Sequence, residues 1–376
     1  MKKLIALICA LSALLLTGCG GGSIYSNYRE TEQLTVIQTL GLDLVQGGVR
    51  ASVATGTGTT PKPVRISAED ESIDLALRRI ADYSVSEEMF FAHTAYVLVG
   101  ESTAVGDLRL VLDFIKRSTD MRLDMPVFVV AGGTASRLVL GSGDESGDKG
   151  ADYDITEVIK SIERSLDDSG DGIVFSAAEI SRSLSESGAA LVCAVESRRA
   201  DEALEGAGNA LTALPAGFSV IKDGREIARI SADDAPAVSL ITGKAGPSRI
   251  ALDMGSPVTL QLDSADAKVS PVIENGRLTG IGVDAKLSAS LIEGEGEPPQ
   301  DELRSALKAE YEKKLGSVLG LSQTLAADFL GLGAMLERKE PLALRGVGEK
   351  LGELLPELDI TLTVSAEITR STELSI

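Results

Sequence analysis

The sequence contains no tryptophan, a single histidine and three cysteines, and only 3% of its residues are aromatic. With so few flat side chains there is little on which bases or sugars can stack. Basic residues are also scarce, 36 Lys plus Arg against 56 Asp plus Glu, which gives a net charge of −20. A chain this acidic offers no electrostatic footprint to a phosphate backbone, which argues against a nucleic-acid partner. The cysteines, Cys9, Cys19 and Cys193, cannot build a disulfide framework. The lone histidine, His93, excludes metal sites with two imidazoles and leaves any Ser-His-Asp triad resting on one residue.

What is present describes a globular chain: 376 residues, 44% hydrophobic and 24% charged, enough for two or three domains with real cores. The first residues carry an address. Met1-Lys2-Lys3 is a short positive segment, Leu4 to Leu16 is apolar, and Leu16-Thr17-Gly18-Cys19 places small residues before a cysteine. This is the pattern of a secretory signal peptide, too short to span a bilayer. The Leu-x-Gly-Cys ending resembles a bacterial lipobox, so Cys19 is expected to receive a diacylglyceryl group and to become the first residue after residues 1–18 are removed. Losing Lys2 and Lys3 moves the net charge from −20 to −22. Anionic lipid repels such a chain, so attachment has to come from the acyl chains, at about 0.8 kcal/mol per buried CH₂. No later stretch reaches the roughly 18 apolar residues of a membrane helix.

Patterning along the rest predicts an α+β fold with mixed, largely antiparallel sheets packed with helices in two to three domains. Residues 19–33 are Gly-rich and polar, a tether. In 34–140, Leu34 to Val45 and Val49 to Thr55 form a hairpin around Gln46-Gly47-Gly48. Ile73, Ala76, Leu77 and Ile80 recur at helical spacing behind Ser67-x-x-Asp70, which has the form of a capping signal. Strands Ala95 to Val99 and Val127 to Val130 flank a helix near Val105 to Arg117. Residues 141–205 open with a polar loop, 141–152, expected to be mobile, and continue as a small subdomain with helices near 155–166 and 177–184 and a strand near 191–195. The last segment, 206–376, turns to long strands. Phe218 to Ile221 and Glu226 to Ile230 are joined across Asp223-Gly224, and Val258 to Asp263 and Gly280 to Leu291 follow. A long helix bears Leu303, Leu307, Tyr311, Leu315 and Val318 on one face. In the closing strand, Leu358 to Ile368 alternate with Asp359 to Thr369, so one face is core and the other is wet or meets a neighbour.

Few residues invite a chemical role. His93, between Phe90-Phe91 and an apolar run, reads as a buried or half-buried structural residue. Cys193 sits among aliphatics that hide the thiol and raise its pKa. Asp167-Asp-Ser-Gly-Asp171-Gly172 imitates the start of an EF-hand, but position 12 is Ala178 instead of an acid, so it reads as a solvated acidic turn. Gly56 to Pro61 lacks the Lys-Ser/Thr ending of a phosphate loop. No cofactor, no metal ligand set and no catalytic residue is expected.

Three stretches carry a family resemblance. They are Tyr28-Arg29-Glu30 running into Gly41-Leu42-Asp43; Phe91-Ala-His93 through Val99-Gly100-Glu101 to Leu112-Asp113-Phe114-Ile115-Lys116-Arg117; and Gly217-Phe218, Asp328-Phe329-Leu330-Gly331-Leu332-Gly333, Arg338-Lys339-x-Pro341 and Ile368-Thr369-Arg370. In this order they resemble the Ger(x)C family of spore germination lipoproteins, the C subunits of nutrient germinant receptors. The chain departs from that pattern in lacking the family's tryptophans, with Leu342 to Leu344 and Leu351 to Leu355 where two of them usually stand. The resemblance implies a non-enzymatic, lipid-anchored subunit on the inner spore membrane, working with an A and a B membrane subunit. The competing expectation is a substrate-binding lipoprotein of a transporter, which would need two hinged lobes with parallel sheets and a ligand cleft.

Overall fold

The computed structural model describes residues 34–56, 64–83, 88–141, 154–199, 211–294 and 298–369. The expected signal peptide, Cys19 and the tether 19–33 lie outside the described residues, as do Thr57 to Pro61 and the loop 141–152 beyond Gly141.

The fold is α+β, with mixed, largely antiparallel sheets. Its larger body is an eight-stranded sheet ordered β10-β9-β8-β7-β6-β2-β3-β4. The strands are β2 (Thr39–Val45), β3 (Gly48–Ala54), β4 (Arg65–Asp70), β6 (Tyr96–Gly100), β7 (Val127–Ala131), β8 (Ala189–Arg199), β9 (Leu211–Lys222) and β10 (Arg225–Ile230). The four in the middle, β2, β6, β7 and β8, run parallel, and an antiparallel pair closes each side. Tyr96 to Gly100 and Val127 to Val130 are all buried, as expected of parallel strands covered on both faces. Two short strands, β1 (Leu34–Val36) and β5 (Glu88–Phe90), pair beside this sheet.

One face of the sheet packs the helices Ile73–Tyr83, Glu101–Asp107, Arg109–Arg117 and Ala177–Ser187 through Ile80, Leu108, Ile115 and Ile180. The other face takes the helices Ala135–Leu140 and Ile155–Ser169 through Leu138, Ile159 and Leu166. The sheet draws on all three stretches that patterning separates near 140 and 205, because β8 is an interior strand held by β7 on one side and β9 on the other. A strand hydrogen-bonded at both edges cannot leave without orphaning two rows of backbone groups.

The smaller body is a four-stranded sheet, β11-β12-β13-β14, made of Arg249–Asp253, Pro257–Glu274, Arg277–Glu293 and Asp359–Thr369. Its long hairpin turns at Asn275-Gly276, where φ of 50° and 77° satisfy the two positive-φ positions of a type I′ turn. The helix Gln300–Thr324 lies across one face, burying Leu303, Leu307, Tyr311, Leu315 and Val318. Two short helices, Leu332–Lys339 and Val347–Leu354, then return the chain to β14, which pairs parallel to β13. The bodies share a core, since Leu191, Phe218, Val220 and Ile230 of the large sheet cluster with Leu260, Leu307 and Phe329 of the small one. Gly217 marks that junction: with φ at +84°, a Cβ there would stand 2.0 Å from the Ile230 carbonyl oxygen.

One expectation is corrected here. Ser67 and Asp70 belong to β4 and do not cap the first helix; its first amides turn instead to Ser72, whose carbonyl accepts from Ala76 and whose hydroxyl accepts from Leu75. Residues 264–274, with no run of large aliphatics, extend the expected strand Val258 to Asp263 and complete β12. Their outward side chains face water and need no apolar character.

Candidate functional site

Asp43 and Asp328, two carboxylates from the family-like motifs, are structural. Asp43 is 1% exposed and accepts hydrogen bonds from the backbone N–H groups of Ala135 and Ser136, both at 2.8 Å. It thereby receives the first amides of the helix Ala135–Leu140, groups that have no partner within the helix. Gly100 is required beside it, because a Cβ would fall 1.8 Å from an Asp43 carboxylate oxygen. Asp328 repeats the device in the smaller body, accepting from Leu332 at 2.7 Å and Gly333 at 2.8 Å. Burial pushes both carboxyls above the usual aspartate range, and the backbone donors partly offset that rise.

A lysine ties the bodies together. Lys222, at the end of β9, donates to the carbonyls of Leu325 and Ala326 at 3.0 and 3.1 Å. It satisfies the C-terminal end of the long helix, where a cation is also favoured by the helix dipole.

Where the two bodies meet there is a cavity of about 470 Å³. Leu166, Cys193, Leu214 and Pro215 line it from the larger body, and Ile250 and Tyr311 from the smaller. Its charged lining residues come from both: Asp171 follows the helix Ile155–Ser169, Lys314 lies on the helix Gln300–Thr324, and Asp233 and Arg249 join them. The Lys314 side chain is 12% exposed, and its ammonium contacts the Asp233 carbonyl and Glu310. Burial raises the Asp171 carboxyl, while a Ser169 hydrogen bond and the Lys314 charge pull it down. Burial pushes the Tyr311 hydroxyl up to about 12, against a lowering hydrogen bond with Ser248. A wider cleft of about 820 Å³ runs between the helix Ala177–Ser187 and Leu332–Lys339, lined by Arg182, Glu186, Phe329, Glu337 and Arg338.

Of the residues singled out from sequence, Cys193 and Asp171 line the seam cavity together, whereas His93 stands apart. His93 is exposed in a turn ahead of β6, its ring 5.3 Å from that of Phe90, so the buried or half-buried placement is corrected. The apolar run that suggested burial starts only beyond it, at Tyr96. Cys193 is 2% exposed within β8, and burial pushes its thiol up to about 12, which makes it a small core residue. Asp167 and Asp168 stay helical, because the helix runs to Ser169 and ends on Gly170 in the left-handed conformation, so no EF-hand-like loop starts at 167. Among the described residues no group of three or more His, Cys, Asp or Glu is placed to hold a metal ion. No helix among them is long and apolar enough to cross a membrane. Sequence reasoning missed the seam cavity, since its lining residues are scattered from Ser165 to Lys314 and only packing assembles them.

Two family profiles match this chain: "Spore germination protein N-terminal domain" over residues 27–164 and "Spore germination B3/ GerAC like, C-terminal" over residues 216–372. The chain is 31% identical to spore germination protein KC of Bacillus subtilis (strain 168) over 157 residues, 37% of this chain and 36% of that protein. That alignment therefore spans about a third of the relative's length. Among solved structures the chain is similar to the GerBC protein, with a TM-score of 0.54 and 16% identity, covering 88% of this chain and 96% of that one. At that identity the likeness speaks for the fold alone.

Proposed function

Because the chain belongs to the Ger(x)C family, matched by an N-terminal and a C-terminal profile in the family's order, we propose that it is a lipid-anchored, non-catalytic subunit of a spore nutrient germinant receptor. The double match is the observation that carries this reading. In this role Cys19 bears the diacylglyceryl anchor, and the folded chain stands on the outer face of the inner spore membrane. Two acyl chains hold it there, where one would be marginal. Its partners are an A subunit and a B subunit of the membrane, and it supports their assembly or signalling. His93, exposed in a turn, stands apart from the buried Cys193, and this separation supports a binding role over catalysis.

Affinity purification of the tagged full chain from detergent-solubilised spore membranes tests the proposal. The expected result is recovery of polytopic membrane proteins together with an N-terminal fragment whose mass shows a diacylglyceryl group on Cys19. A chain recovered from the aqueous fraction, unlipidated and without membrane partners, contradicts it.

A further inference from the structure

A strand at the edge of a sheet offers unpaired backbone groups to any other strand, and folded proteins blunt such edges with short strands, proline, lysine, bulges or covering side chains. β4 has six residues and gives its Glu69 carbonyl to Arg79 at 2.8 Å. β10 also has six, with a register shift between Glu226 and Ala228. β11 has five and pairs with β12 only as far as Gln261; beyond that point β12 carries Pro271 and yields its Val269 carbonyl to Lys339. β14 has none of these defences. It is an edge strand of 11 residues, Asp359–Thr369, without proline, lysine or arginine and in unbroken register with β13.

Both rows of β14 side chains lack a neighbour on that edge. On the core side, Ile281, Val283, Leu287 and Ala289 of β13 are buried, whereas Ile360, Leu362, Ala366 and Ile368 beside them are half-buried. On the open side, charges of β12 and β13 face their opposites, Asp266 with Lys286 and Lys268 with Asp284. The acids of β14 do not: Asp359 lies beside Gly280 and Glu367 beside Ser288, and Lys286, diagonal to Glu367, already faces Asp266. From this geometry we infer that the β14 edge takes up one more strand from another protein. The occupant is an extended basic segment that alternates apolar with polar residues and carries Lys or Arg at two positions eight apart, opposite Asp359 and Glu367. Its main chain supplies the hydrogen bonds, its apolar row completes the cover of Ile360, Leu362 and Ile368, and its cations select the partner. A second copy of this chain is a poor occupant, because antiparallel pairing of two β14 strands sets Asp359 and Glu367 against each other in a chain of net charge −20. The sheet edge carries this by itself, and neither the lipid anchor nor a receptor is required for it.

The test titrates the full-length protein in detergent micelles with a fluorescent acetylated, amidated peptide, Lys-Val-Thr-Val-Arg-Val-Thr-Val-Lys, and follows anisotropy. Saturable binding with a Kd below about 1 mM is expected, and the same peptide with Glu in place of Lys and Arg should bind at least about tenfold more weakly. Asp359→Lys combined with Glu367→Lys, both at exposed positions, should likewise weaken the basic peptide at least about tenfold. Two further peptides, N-methylated at the odd or at the even residues, read the main chain: one set faces the edge and should abolish binding, whereas the other should bind within about threefold of the parent. Hydrogen exchange should slow across Asp359–Thr369 when the basic peptide is added, and stay unchanged in β4 and β10. Absence of saturable binding overturns the inference, as do equal binding by the two N-methylated peptides and protection at another edge. Full protection of β14 in the isolated chain overturns it too, since the chain then fills its own edge, and so does a dimer that the peptide dissociates, which gives the edge to a second copy.

Discussion

Strands β6 and β7 in the middle of the eight-stranded sheet are covered on both faces, whereas β12, β13 and β14 are covered on one. In β14 the contrast is visible residue by residue: Ile360, Leu362, Val364, Ala366 and Ile368 are buried or half-buried, while Asp359, Thr361, Thr363, Ser365, Glu367 and Thr369 are exposed. The registered neighbours on that open face are also short or charged, with Asp266 opposite Lys286 and Lys286 beside Ser365. The larger body therefore spends both sheet faces on its own stability, and the smaller keeps one free. A covered sheet punishes almost any change; an open one tolerates change and is available for contact.

The widest separation between the regions should appear in thiol chemistry. Cys193, buried in β8 with its thiol pushed up to about 12, is expected to react with a maleimide at pH 8 at least about a thousandfold more slowly than a cysteine placed on the open face by Ser365→Cys. Stopped-flow labelling with and without urea measures this; comparable rates in the native protein would end the contrast.

Truncation comes next. Phe128→Ala empties the middle of β7 and should cost about 3–5 kcal/mol in denaturant unfolding. Asp43→Ala and Asp328→Ala test whether the bodies rely equally on one device, a buried carboxylate receiving two helix amides. Each should lose about 2 kcal/mol, and the asparagine variants less, because one amide oxygen still accepts. Lys222→Met removes the clamp between the bodies at about 1 kcal/mol and should raise hydrogen exchange around Leu325 to Asp328 more than around β7. Thr363→Ala, on the open face, should stay within about 0.5 kcal/mol of the parent.

Legibility in the sequence followed the same division. Strands that alternate strictly, such as β14, or that read as unbroken aliphatics, such as β7, were visible because local patterning already carries their burial. The far half of β12 was not, because Ser264, Asp266 and Lys268 face solvent and only Val269 is fully buried. The helix Ala235–Ile241 also escaped notice, since it is buried at nearly every position and presents no polar face to give a period. Assignment of β8 to the large sheet depends on pairings with β7 and β9 that lie far away in sequence. The lipidation expected at Cys19 rests on a local motif alone, whereas the seam cavity exists only once the two bodies are docked. The open, largely antiparallel smaller sheet is also what separates the chain from the competing expectation of two hinged lobes with parallel sheets.

The most direct test of the receptor assignment is dipicolinate release from purified spores exposed to a panel of amino acids and sugars. Wild type, a deletion of this gene, and the deletion complemented with either the parent or Cys19→Ala are compared. The account predicts that the deletion loses its response to a subset of nutrients, that the parent gene restores it, and that Cys19→Ala does not. An unchanged response of the deletion to every nutrient, in a strain without a second copy, would contradict it.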